Sequence, residues 1–242
     1  MNKNRKLGII GGMGARAGAF FLQRIIDYSP AVSDQEFLDI LFHNNAGVPD
    51  RTKAIVYNEP SPLPELLQSV KLFNTNRIEV MAMACITAYY YYDEICRHTS
   101  AMVINPLHLI AEHIRTAYPG AKRIGLLATT GTIRSGLFHD TLCEDGMEVI
   151  TLQPGEQETL FMRAVYMKNG FKSARVSPYA RNLMQESLET LKSREVDVII
   201  GGCTEVSTGI DPSTVAFPYI DALDLLARGT VACCYNASLI KQ

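Results

Sequence analysis

Two stretches of this chain, Glu79-Val-Met-Ala-Met-Ala-Cys85 and Asp197-Val-Ile-Ile-Gly-Gly-Cys203, read as one element written twice. Each opens on an acidic residue, runs through a short apolar segment and closes on a cysteine. Short apolar runs bounded by turn formers are the pattern of strands buried on both faces of a parallel sheet. The spacing of 118 positions between the two cysteines nearly recurs elsewhere. Leu7-Gly-Ile-Ile-Gly-Gly matches Ile124-Gly-Leu-Leu-Ala-Thr at an offset of 117, and Ile104-Asn-Pro-Leu107 matches Ile220-Asp-Ala-Leu223 at 116. The repeat predicts two similar parallel-sheet α/β domains related by a pseudo-two-fold, each bringing one cysteine from the C-terminal end of an equivalent strand.

Working outward, short β-branched runs alternate with longer amphipathic stretches, the signature of strands joined by crossover helices. Strands are predicted at Leu7–Ile10, Leu38–Phe42, Ile78–Ala84, Met102–Ile104, Arg123–Ala128, Met147–Leu152, Val196–Ile200 and Val215–Tyr219. Helical spacing covers Ala15–Asp27, Leu63–Phe73, Thr87–His98, Leu107–Tyr118, Ser135–Glu144, Glu156–Lys168, Tyr179–Ser193 and Ala222–Asn236. The length of 242 residues accommodates two domains of ordinary size. The first is expected to hold residues 1–102 plus about 211–242, the second about 103–210.

Composition narrows the function. Lys plus Arg number 23 against 25 for Asp plus Glu, a net charge of −2 with no basic stripe, so nucleic acid is not the expected partner. No apolar stretch reaches the roughly 18 residues that span a bilayer, and the Gly-rich turn after Lys6 interrupts any signal-like segment, so a cytoplasmic protein without membrane contact is expected. The six cysteines have irregular spacing and no CxxC, which suggests neither a disulfide framework nor a zinc site. The five histidines form no HExxH, and His108 and His113 are off a common helix face.

Ligands of open α/β sheets sit beyond the carboxyl ends of the strands, where Cys85 and Cys203 are expected, each before a helix whose N-terminal dipole favours a thiolate. A lone buried cysteine is ordinarily a small hydrophobe, but packing gives no reason for both copies of a repeat to use sulfur. Two thiols facing each other across a cleft suit a reaction in which one takes a proton from carbon and the other returns one to the opposite face. That chemistry is racemisation or epimerisation.

Several motifs then resemble one family. Gly11-Gly-Met-Gly14, Pro49-Asp-Arg-Thr52, Cys85 followed by Thr87 and Tyr-Asp-Glu94, Ala128-Thr-Thr-Gly-Thr132 and Gly202-Cys-Thr-Glu205 look like the cofactor-independent aspartate/glutamate racemases, aspartate racemases above all. The resemblance covers nearly the whole chain. It implies an isomerase with its site between two α/β domains, no pyridoxal phosphate or other cofactor, no metal, a homodimer, and a small acidic amino acid as substrate. It further implies that Cys85 and Cys203 are the paired acid and base, and that Arg51 and Lys168 hold substrate carboxylates. Independently of the family, a cation facing a carboxylate gives a charge-assisted hydrogen bond that a neutral substrate cannot use. Thr130 and Thr132, with Thr129 and Gly131, offer hydroxyls and backbone N–H groups near a helix start. Met13 is expected to present its backbone, and Ile86, Thr87, Thr204 and Glu205 complete the substrate-binding set.

The chain departs from the family where Asn usually follows the first cysteine, since Ile86 stands there, and Tyr89 replaces a frequent His. An isoleucine offers no hydrogen bond, which points to slow turnover of aspartate or glutamate or to another substrate. On this reading Ile86→Asn raises kcat/KM about tenfold, equivalent to 1.4 kcal/mol. Two rivals stand beside the racemase: a binding-only relative, and a nucleotide-binding protein suggested by Gly12-x-Gly14-x-x-Ala17. Against the latter, the strand ending at Phe42 lacks the acidic residue that such a site requires.

Overall fold

The computed structural model describes residues 4–235. Eight strands form two four-stranded sheets, all of whose pairs are parallel: β1 (Leu7–Gly11), β2 (Ile40–Asn44), β3 (Val80–Met83) and β4 (Met102–Val103) in one, β5 (Arg123–Leu127), β6 (Glu148–Ile150), β7 (Val198–Gly201) and β8 (Tyr219–Asp221) in the other. The orders, β2-β1-β3-β4 and β6-β5-β7-β8, are identical after a shift of one half. Register repeats too: Leu7 stands beside Val80 and Ile124 beside Val198.

Every strand of these sheets is followed by helix, because a parallel neighbour can be reached only by a crossover. The crossover helices present apolar faces to the sheets. Phe21 and Ile25 of Ala15–Tyr28 and Leu66, Val70 and Phe73 of Leu63–Thr75 enter the first core with Ile9, Met81 and Met83. In the second half, Leu183, Met184, Leu188 and Leu191 of Pro178–Lys192 pack with Leu127 and Ile199.

Several elements differ from the sequence pattern. The last strand is Tyr219–Asp221, later than Val215–Tyr219, because Pro212–Thr214 forms a 3-10 turn capped by Asp211 and Pro218 has no N–H for a ladder. This strand lies in the second sheet and Ala222 still packs in the second half, so residues 219–222 do not belong with the first domain, where the sequence pattern puts them. The chain returns to the first core from Leu223, with Leu226, Ala227 and Val231 of Ala222–Cys234 buried there. The predicted end of that helix at Asn236 lies outside the described residues. Thr87–His98 is a 3-10 turn, Ile86–Tyr91, followed by a short α-helix, Tyr92–Cys96. Thr130–Arg134 is a short helix that the pattern does not predict, and Gly136, at φ 74°, separates it from Leu137–Cys143, the observed form of the predicted Ser135–Glu144. The helix from Pro154 to Tyr166 contains a π-helical stretch, Gln157–Met162. Among the described residues no helix is long and apolar enough to cross a membrane.

Candidate active site

The two cysteines occupy equivalent places. Ala84 N–H donates to Ile10 O at 2.9 Å and Gly202 N–H to Leu127 O at 3.0 Å, tying each strand end to the central strand of its sheet. The next residue in each case is the cysteine, extended at φ −161° for Cys85 and −139° for Cys203, whose carbonyl accepts the first bond of a helical turn. Both sulfur-bearing residues line a single cavity between the halves, together with Met13, Arg51, Thr52, Ile86, Thr87, Thr129, Tyr166, Lys172, Thr204 and Glu205. Its free volume is about 10 Å³, near the lower limit for one water. An amino acid enters only if a wall moves.

The surroundings of the sulfurs differ. The Cys203 thiol donates to Glu205 Oε2 at 2.8 Å, and Thr204 Oγ1 donates to the same oxygen at 3.3 Å. Burial first, and the Glu205 charge second, push the Cys203 thiol well above its ordinary range. The helix-dipole expectation of a ready thiolate therefore does not hold for Cys203: the dipole of a six-residue helix is outweighed by desolvation and a carboxylate in contact. The other Glu205 oxygen, Oε1, makes no hydrogen bond among the described residues and lies 3.7 Å from Lys172 Nζ.

Arg51 is 5% exposed, at the start of Arg51–Tyr57, a helix that sequence periodicity did not reveal. Its Nη1 donates to Pro49 O at 2.9 Å and Val48 O at 3.4 Å, and its Nη2 to Met13 O, so most of the guanidinium orders the loops around it. Among the described residues its Nε has no hydrogen-bond partner. Burial opposes the Arg51 charge, but the Cys85 sulfur, Asp50 and Glu205 outweigh it and raise the pKa. Asp50 caps the same helix by accepting from Lys53 N–H and also accepts from Tyr166 OH at 2.9 Å. Despite burial, Lys172 Nζ at 3.6 Å, the Lys53 N–H, Arg51 and Tyr166 hold its carboxyl below the ordinary range. Burial and the Asp50 charge push the Tyr166 phenol up.

A triangle of hydroxyls joins the halves. Thr87 Oγ1 lies 2.8 Å from Thr132 Oγ1 and 3.2 Å from Thr129 Oγ1, which are 3.1 Å apart. Gly131 permits the accompanying backbone approach: a Cβ there would lie 2.6 Å from Thr52 Oγ1 and 2.7 Å from Thr52 Cα. Thr130, by contrast, turns its hydroxyl to Glu158 Oε1 at 3.0 Å and does not line the cavity. Lys168 is exposed and also absent from the cavity, whose lysine is Lys172. Ile86 is 1% exposed and belongs to the apolar cluster of the second half with Leu107, Ile110 and Ala128. Tyr89 accepts a bond from Met83 N–H at 3.1 Å, behind the cavity wall.

The glycines after β1 have packing reasons. Gly12, at φ 90°, faces the backbone of Asn45 and Ala46, within 2.7 Å of where a Cβ would stand. Glu205 Oε1 lies 3.7 Å from the Cβ position of Gly14, so an anion already faces the start of Ala15–Tyr28. Among the described residues no three His, Cys, Asp or Glu side chains gather as metal ligands.

This site, built from two equivalent thiols, sits in a chain whose residues 10–230 match the Asp/Glu/hydantoin racemase family. The chain belongs to that family. It is an isomerase of the racemase class and resembles the aspartate and glutamate racemases. The broad specificity amino-acid racemase RacX of Bacillus subtilis is 26% identical over 230 residues, covering 93% of this chain and 96% of that one. The structure of Picrophilus torridus aspartate racemase superposes with a TM-score of 0.82 at 25% identity, covering 95% of this racemase and 94% of its own chain. A putative Asp/Glu racemase from Yersinia pestis shares the fold, with a TM-score of 0.75 at 19% identity over 96% and 99% of the two chains.

Sequence reasoning missed Lys172, Tyr166 and Thr52 as parts of this racemase's cavity wall. Thr52 stands inside the Pro49-Asp-Arg-Thr52 motif and carries that signal itself. Lys172 lies four residues beyond Lys168, across a turn whose path no periodicity records.

Proposed function

We propose that this protein interconverts L- and D-aspartate or glutamate without a cofactor, using Cys85 and Cys203 as a pair of opposed acid and base. The observation that carries this reading is the placement of both cysteines at equivalent strand ends on the wall of one cavity. In one direction the Cys85 sulfur, beside Arg51, takes the Cα proton, and the electron pair left on carbon spreads into the α-carboxylate. Cys203, whose proton is held by burial and Glu205, gives it to the opposite face. The enzyme is left with the proton on Cys85 and the charge on Cys203.

The unpartnered atoms of the wall match the rest of an amino acid. Arg51 Nε is a donor for a carboxylate and Glu205 Oε1 an acceptor for an ammonium. The Thr87 and Thr129 hydroxyls on the wall, bonded to each other and to Thr132, which does not line the cavity, can turn to a carboxylate. Lys172 supplies the cation for a side-chain carboxylate, the role that the family resemblance gave to Lys168.

Incubation of L-aspartate and L-glutamate in deuterated water, followed by chiral chromatography and mass spectrometry, tests the proposal. Formation of the D-enantiomer with deuterium at Cα is expected. Cys85→Ser and Cys203→Ser should each abolish it, because a serine hydroxyl is too weakly acidic to replace the thiol. Full activity in either variant would remove the two-thiol mechanism, and racemisation of neutral amino acids only would remove the acidic substrate.

A further inference from the structure

Lys172 reaches the cavity from residues 167–177, a strap between Arg163–Tyr166 and Pro178–Lys192. Its first part is tied to its own half: Phe171 N–H donates to Ala164 O and Lys172 N–H to Val165 O. Beyond Ser173 the ties thin out, since among the described residues Ala174, Arg175 and Val176 make no backbone N–H bond to backbone. The next anchor is Ser177 N–H to Asn169 O.

What holds the tip belongs to the other half. Arg16, in the first turn of Ala15–Tyr28, donates through Nη2 to Ala174 O at 2.5 Å and to Ser173 O at 3.4 Å. Among the described residues no carboxylate lies within ion-pair distance of Arg16, so the strap carbonyls are what its guanidinium faces. Two more links cross between the halves here, Lys172 to Asp50 and Tyr166 to Asp50, and both use groups of the cavity wall. Arg16 is not part of that wall. It can therefore hold the strap whatever the cavity contains, while a cavity this small requires the strap or a neighbour to move before an amino acid enters.

We infer that Arg16 is a positioning residue that clamps Ser173 and Ala174 of the strap onto the first half and so presents Lys172 to the substrate. Release of this clamp opens the site, and its return sets Lys172 over the bound substrate. The inference rests on the racemase reading only for its kinetic part.

The test uses the full chain with Arg16→Ala and Arg16→Lys. By hydrogen exchange, Arg16→Ala should speed exchange of the hydrogen-bonded strap amides of Gly170, Phe171, Lys172, Ser173 and Ser177 about tenfold while Leu7–Gly11 and Arg123–Leu127 stay protected, and Arg16→Lys, which keeps a donor group, should fall between. KM should rise about tenfold in Arg16→Ala with kcat held or raised, and Arg16→Ala added to Lys172→Ala should raise KM no further than Lys172→Ala alone. Unchanged exchange in the strap overturns the clamp. Protection lost across both sheets also overturns it, as the mark of a general folding role. Faster strap exchange with unchanged KM overturns the positioning of Lys172. A wild type inactive on every amino acid counts against the proposed function, whereas the exchange comparison decides the clamp by itself.

Discussion

The Cys203 thiol and the Glu205 carboxylate, two residues apart on one turn, are in hydrogen-bond contact at 2.8 Å with the sulfur as donor. A negative neighbour disfavours the thiolate, so Glu205→Gln should move the pH midpoint for alkylation of Cys203 by iodoacetamide downward. By linkage, a thiol whose folded pKa is raised favours the fold below the unfolded value of about 8.5 and loses that contribution as pH climbs through the folded value. Wild type should therefore lose stability in alkali more steeply than Glu205→Gln. A midpoint that stays or rises would show that burial alone controls the sulfur.

Lys172 and Lys168 separate a cavity cation from a surface one. Lys172→Ala should lower kcat/KM for aspartate or glutamate by tenfold or more, roughly the 1.5–3 kcal/mol of a charged hydrogen bond. Lys168→Ala, at an exposed position outside the cavity, should leave it unchanged. The reverse pattern in steady-state kinetics would mean that the strap has another register when substrate is bound.

Asp50→Asn removes a charge and keeps a helix cap, since Asn caps as well as Asp. The loss of the contacts to Lys172 and Tyr166 should destabilise the protein by about 0.5–1 kcal/mol at pH 7. Because the Asp50 pKa is lowered, its contribution is present above the unfolded value of about 3.9 and disappears as pH falls through the folded one. Urea titrations of the two proteins should therefore converge in acid and differ at neutrality.

Ile86 answers to the core of the second half before it answers to substrate. Ile86→Asn, which polarity alone suggested would help an acidic substrate, should instead destabilise the protein by about 3 kcal/mol or more, from lost apolar burial plus an unpaired buried amide. Ile86→Val should cost only about 0.5–1.5 kcal/mol and retain activity. Thermal unfolding checks both, and an Asn variant as stable as wild type would show that the side chain finds a polar partner in the cavity.

The fold was legible because its strands are short, apolar and repeated: the offset between Cys85 and Cys203 predicts two similar halves, and the two sheets have the same strand order. The sulfurs were legible for the same reason, as paired oddities in a repeat. What a one-dimensional pattern could not carry were distances across the cleft. Lys172 enters from a strap without periodicity, and Thr130 and Thr132, two residues apart, point to different places. Ile86 lines the cavity beside Cys85 and also packs in the core of the opposite half, a second contact that its place in the sequence does not record. The Cys203 thiol is pushed up by burial first and by the Glu205 contact second, neither of which a helix-dipole rule anticipates.

The pseudo-two-fold sets the sulfurs alike but surrounds them unlike, a guanidinium near Cys85 and a carboxylate on Cys203. Mirror-image amino acids have equal free energy in water, so such a bias cannot favour either product, and kcat/KM must be the same for both. Under the two-thiol reading it acts on the empty enzyme. An enzyme with its proton on Cys203 is loaded for one enantiomer, and each turnover of that enantiomer leaves the proton on Cys85. One enantiomer meets an enzyme already loaded for it, and the other must wait for the proton to be carried back by solvent or by Glu205. Where turnover outpaces that homeward journey, the journey and not the breaking of the C–H bond sets the ceiling on flux.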